Sequence, residues 1–135
     1  MRTIKQSTIF IIAILFLSAC GKYTPSAHDV VNSHGDIKNL EILDNFIEDM
    51  AHSNAANVKV IDYTDEGDPI IHELRIVDGE LFSIIDTRHD DFGEQYIEET
   101  KCESIIVTNE GEQKIYQLVG CENEERHHTI LIQNK

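Results

Sequence analysis

The chain has 135 residues and carries 25 acidic against 11 basic side chains, a formal net charge of −14 with histidines neutral. That length supports one modest hydrophobic core. A surface so acidic is repelled by nucleic acid phosphates and anionic lipid headgroups, which excludes nucleic acid as a partner and leaves basic proteins or cationic ligands open.

Arg2 and Lys5 precede an uninterrupted apolar run from Ile9 to Leu17. This is the layout of a secretory signal, and the run is shorter than the 20 or so apolar residues a spanning helix needs. Leu17-Ser18-Ala19-Cys20 follows and resembles the lipobox of bacterial lipoproteins. The resemblance implies cleavage after residue 19 and a diacylglyceryl group, with its palmitate-type chains, on the Cys20 sulfur. Two acyl chains suffice for stable anchoring, since each buried methylene contributes roughly 0.8 kcal/mol. Removing residues 1–19 leaves nine basic residues against 25 acidic ones, a net charge of −16. The expected organisation is a signal peptide over 1–19, a lipidated N-terminus and tether over 20–33, and one extracytoplasmic domain over 34–135.

Ile37, Leu40, Leu43, Ile47 and Met50 recur at spacings of three and four, which predicts an amphipathic helix of about four turns with Asp36 or Asn39 as N-cap. Strand-like runs follow: Val58 to Tyr63, an acidic loop from Thr64 to Pro69, then Ile70 to Val77 and Glu80 to Asp86 on either side of Asp78-Gly79. That dipeptide is a strong hairpin signal. Ser104 to Thr108 and Lys114 to Val119 form a second hairpin, and Thr129 to Ile132 a last strand. The pattern predicts an α+β fold, with one N-terminal amphipathic helix packed on an antiparallel sheet of five to six strands.

Cys102 and Cys121 are the other two cysteines, and an exported protein folds where disulfides persist. A two-residue turn at Gly111-Glu112 pairs Glu110 with Gln113, and counting outward places Cys102 opposite Cys121. Bonding them closes a loop whose constraint stabilises the fold by about 3 kcal/mol.

Asp29-Val30-Val31-Asn32 with His34-Gly35, the stretch from Tyr63 to Ile70 containing Glu66-Gly67-Asp68-Pro69, and Cys102 with Tyr116, Leu118 and Cys121 resemble a family of short Gram-positive lipoproteins, domain of unknown function 4362. The resemblance implies a compact extracellular domain with Cys102 and Cys121 paired. It carries no activity and assigns no catalytic residue.

Two acidic clusters invite a metal reading. Asp62, Asp65, Glu66 and Asp68 could converge on a hard cation, with Asp65, Glu66 and Asp68 as the ligand loop. Their spacing is not that of an EF-hand, and Gly67 with Pro69 also suits a solvated turn. Asp86, His89, Asp90 and Asp91, with Glu94 nearby, form the second set, in a long loop of the kind that often carries function. Asp91-Phe92-Gly93 matches a kinase metal motif without the rest of a kinase around it.

Strand alternation puts His72 on one face with Ile70, Leu74 and Ile76, where a buried, hydrogen-bonded histidine is the simpler reading. His34 beside Gly35 suits a turn or cap. If the last strand extends back over His127 and His128, the two point to opposite faces and cannot share an ion without a bulge. No serine sits in a glycine-flanked elbow, and no phosphate-binding glycine loop is present.

The sequence therefore favours a membrane-anchored binding or interaction module of the cell envelope, without a cofactor, meeting an envelope protein or cationic ligand. A divalent metal-ion binder and a small hydrolase are the alternatives.

Overall fold

The computed structural model describes residues 22–123 and 128–135, so Cys20 with its leader, and His127, lie outside the described residues. Nine strands and one helix follow in the order β1 (Val30–Ser33), β2 (Asp36–Lys38), α1 (Leu40–Asp49), β3 (Ala55–Tyr63), β4 (Pro69–Val77), β5 (Glu80–Asp86), β6 (Ile97–Cys102), β7 (Ser104–Glu110), β8 (Gln113–Val119) and β9 (Thr129–Asn134). They build a six-stranded sheet ordered β2-β1-β3-β4-β5-β6 and a three-stranded sheet ordered β7-β8-β9.

This corrects the expected α+β architecture. The described fold is mostly β, with two sheets where one was expected and a single short helix of ten residues. Ile37, expected in the helix's first turn, lies in β2. It still packs against the same core as Leu40 and Ile47, which is why its spacing imitates a helical period. Nor is the large sheet wholly antiparallel: β1 runs parallel to β3, with Val30 opposite Val60 and Asn32 opposite Asp62. A parallel neighbour needs a crossover, and α1 supplies it between β2 and β3. Val30–Ser33, read from sequence as the end of a tether, is thus a strand of the sheet.

Asn39 does occupy the helix N-cap, but in left-handed conformation and without a side-chain capping bond. Its amide instead donates to the carbonyls of Ala27 at 3.2 Å and Asp29 at 2.9 Å, fastening the segment before β1. Asp36 sits in β2.

The hairpins follow their turn chemistry. Asp78 and Gly79 both have positive φ, 53° and 79°, the combination that matches the twist of adjoining strands. The resulting register pairs Val77 with Glu80 and His72 with Ile85. In the second hairpin Glu110 pairs with Gln113 and Ser104 with Val119.

The core lies between the inner face of the large sheet (Val58, Val60, Leu74, Ile76, Leu81), the helix residues Leu43 and Phe46, and Ile105, Tyr116, Leu118 and Leu131 of the small sheet. Strand alternation delivers one residue in two to that face. Cys102 ends β6 and Ser104 begins β7, so the chain passes from one sheet to the other at Glu103. Cys102 and Cys121 are disulfide-bonded at this corner. Two backbone bonds flank them, Glu103 N–H to Val119 C=O at 3.0 Å and Glu122 N–H to Lys101 C=O at 2.9 Å. Among the described residues no helix is long and apolar enough to cross a membrane.

Candidate functional site

One end of the large sheet's inner face is left open as a cleft of about 550 Å3. The sheet register builds its floor: Val60, His72 and Ile85 form one cross-strand row, and Asp62 lies opposite Ile70. Thr129 and Ile130 of β9 form another wall. The loop after β5 completes the rim with Thr87, Asp90, Glu94 and Tyr96.

Thr87 shapes that loop. Its buried hydroxyl donates to the Glu94 carbonyl at 2.6 Å and accepts from the Tyr96 amide at 2.9 Å, and its own amide donates to the Tyr96 carbonyl. Asp90 Oδ1 accepts from the amides of Phe92 and Gly93, closing a local turn of the kind aspartate side chains favour. Thr87 and Tyr96 had no signal in the sequence, because the Thr87 hydroxyl and amide meet the Tyr96 backbone N–H and C=O only through folding.

The carboxylate of Asp62 stands at the cleft floor. Desolvation by the surrounding protein pushes it above its ordinary value, against the opposing pull of a hydrogen bond from Asn32 and the nearby charge of His34. Asn32 Nδ2 donates to it at 3.0 Å. The Nε2 of His34, itself in the β1–β2 turn with φ of 55°, lies 3.0 Å from the Thr64 carbonyl oxygen.

His72 is buried and its Nε2 lies 2.6 Å from Ser83 Oγ. This pair has the chemistry of a nucleophile and base, but Ser83 is 1% exposed and offers no face from which a substrate could be attacked. The expected hydrolase alternative finds no further support among these residues. The disulfide likewise removes Cys102 and Cys121 as thiol nucleophiles.

The two acidic loops meet. Thr64 and Asp68 close a turn through Thr64 N–H to Asp68 C=O and Asp68 N–H to Thr64 Oγ1. Asp68 Oδ2 then accepts the Asp91 amide at 2.9 Å. Asp65 and Glu66 project outward, exposed.

The metal set Asp86, His89, Asp90 and Asp91 does not assemble. Asp86 is held by Arg88 in two bonds of 2.9 and 2.7 Å, and that hydrogen bonding draws its carboxyl below the ordinary value. Asp90 caps its own turn, and His89 packs 5.6 Å from the Tyr23 ring, centroid to centroid. Among the described residues no group of three or more histidine, cysteine or acidic side chains is placed to hold a metal ion. The Asp65, Glu66, Asp68 loop meets the same result.

No curated protein and no solved structure matches the chain. The family model described as Domain of unknown function (DUF4362) matches residues 27–117, a span that covers β1 through most of β8 and includes the acidic floor and rim of the cleft. With well over half its length matched, the chain belongs to the family Domain of unknown function (DUF4362).

Proposed function

We propose that the chain is a lipid-anchored binding module on the outer side of the cell membrane, offering its cleft to a small ligand that bears a cationic group. Support for the location comes from the apolar leader and the Leu17-Ser18-Ala19-Cys20 motif. The ligand class rests on the cleft, the observation that carries the reading. Asp62, Asp90 and Glu94 line it, and among the described residues no lysine or arginine does. Val60, Ile70, Ile85 and Ile130 provide apolar walls suited to an aliphatic stem. Binding is favoured over catalysis because the serine beside His72 is sealed.

The test uses the full chain purified in detergent. Cadaverine, a short aliphatic diamine, is titrated against pentanediol and glutarate as neutral and anionic counterparts, with amide resonances as the readout. Cadaverine is expected to shift Asp62, Thr87 and Tyr96. Asp62→Asn should weaken it about tenfold, the worth of one charge-assisted hydrogen bond. Equal shifts from pentanediol, or none from cadaverine, would refute the ligand class. For the anchor, mass spectrometry is expected to find a diacylglyceryl adduct on Cys20 and a Cys20→Ala chain that no longer partitions with membranes.

A further inference from the structure

Residues 22–29 precede the first strand, in the stretch read from sequence as a tether that becomes ordered near the domain. They are folded onto the domain. The Asp29 side chain, 7% exposed, accepts the Ser26 amide at 2.7 Å, while Asn39 holds the carbonyls of Ala27 and Asp29. Tyr23 packs its ring against His89 and directs its hydroxyl to Asp29. Its electrostatic neighbours Glu73 and Tyr63 share the outer face of the large sheet, the face opposite the core.

Cys20 is three residues before Tyr23, and three residues of fully extended chain span at most about 10 Å. We infer that residues 22–29 are a packed leash, so that lipid carried on Cys20 holds the His89 end of the fold against the bilayer surface and turns Asp78-Gly79 away from it. This rests on the lipid-anchor part of the proposed function and goes beyond it by fixing an orientation.

Two further observations fit. Phe92, 75% exposed, stands three residues beyond His89, and an exposed aromatic ring gains by entering the layer between water and hydrocarbon. The Asp78-Gly79 turn is separated from the His89 loop by the whole of β5, roughly 23 Å of strand. The cleft rim at Asp90 is on the near side, so a ligand reaches it at the level of the lipid headgroups.

The experiment reconstitutes the full chain in phosphatidylcholine nanodiscs containing a gadolinium-chelate lipid. Paramagnetic broadening of amides is measured, and mass spectrometry of the same sample reports acylation of Cys20. Broadening at Phe92 is expected to exceed that at Gly79 several-fold. Tyr23→Ala removes the contact with His89 and is expected to bring the two toward equality. Acylated wild-type protein with equal broadening at both positions overturns the leash while sparing the anchor. Absence of an acyl adduct overturns both, so the two failures are told apart.

Discussion

The amide of Asp91 donates to the carboxylate of Asp68 at 2.9 Å across 23 residues of sequence, and this bond makes one structure of two acidic loops. The β3–β4 turn becomes a shelf on which the loop after β5 rests. The cleft rim at Asp90 therefore depends on a carboxylate outside the cleft lining.

Asp68→Ala is expected to release the loop between Thr87 and Tyr96 while leaving the sheets intact. The bond is exposed, so the global cost should stay at or below about 1 kcal/mol. Hydrogen exchange should show faster exchange at Asp91 with unchanged protection in β4 and β5. Unchanged exchange at Asp91 would mean the loop is held by Thr87 alone.

Cys102→Ser with Cys121→Ser should lower stability by about 3 kcal/mol, read as a reduced urea midpoint. Because the bond sits where the chain changes sheets, protection should fall first in β6 and β7. A midpoint equal to that of the wild type would sink this assignment.

Tyr116 is fully buried, and its hydroxyl donates to Asp44 Oδ1 of the helix at 2.8 Å. Tyr116→Phe is expected to cost about 1 kcal/mol. Tyr116→Ala should cost about 3–5 kcal/mol by opening a cavity under the helix. Thermal or urea unfolding distinguishes the two, and equal losses would place the whole effect in the hydrogen bond.

Acid titration should resolve two opposing contributions. Hydrogen bonds from Arg75 and Arg88 hold Glu73 and Asp86 below their ordinary values. Their stabilisation is present above the ordinary carboxylate range and is lost as pH falls through the folded-state values. Partial desolvation raises Asp62, a residue that stays exposed on its solvent side, so its contribution is small and of the reverse sign. Its penalty is absent below the ordinary value and accrues in full once pH exceeds the raised one. Asp62→Asn should therefore raise the urea midpoint at neutral pH relative to wild type and lose that advantage near about pH 4. Asp86→Asn should flatten the acid limb. A neutral-pH midpoint lowered by Asp62→Asn would contradict the desolvation account.

The two hairpin registers were legible because turn chemistry fixes them locally. Positive φ at Asp78 and Gly79 sets one, and the pairing of Glu110 with Gln113 sets the other. Counting from the second placed the disulfide. Elements whose order comes from distant neighbours were not legible. β1 and β2 have four and three residues, too few to show a period. β6, Ile-Glu-Glu-Thr-Lys-Cys, is a polar edge strand and reads as loop, since charge on an edge is what keeps other chains from pairing there. The second sheet was missed for a related reason: nothing local marks Glu103 as the place where a strand changes partners. For the cleft, Asp62 and Asp90 were both noticed, in separate clusters. Their convergence with Ile130 depends on sheet packing that no spacing encodes.

The passage of one continuous run of chain through Glu103 bears on mechanics. Since β6 and β7 are a single polypeptide path riveted by sulfur at its bend, displacement of one layer at this corner is coupled to its neighbour. A ligand entering the open cleft meets strands on its floor and the Thr87 loop and β3–β4 turn as the irregular parts of its rim.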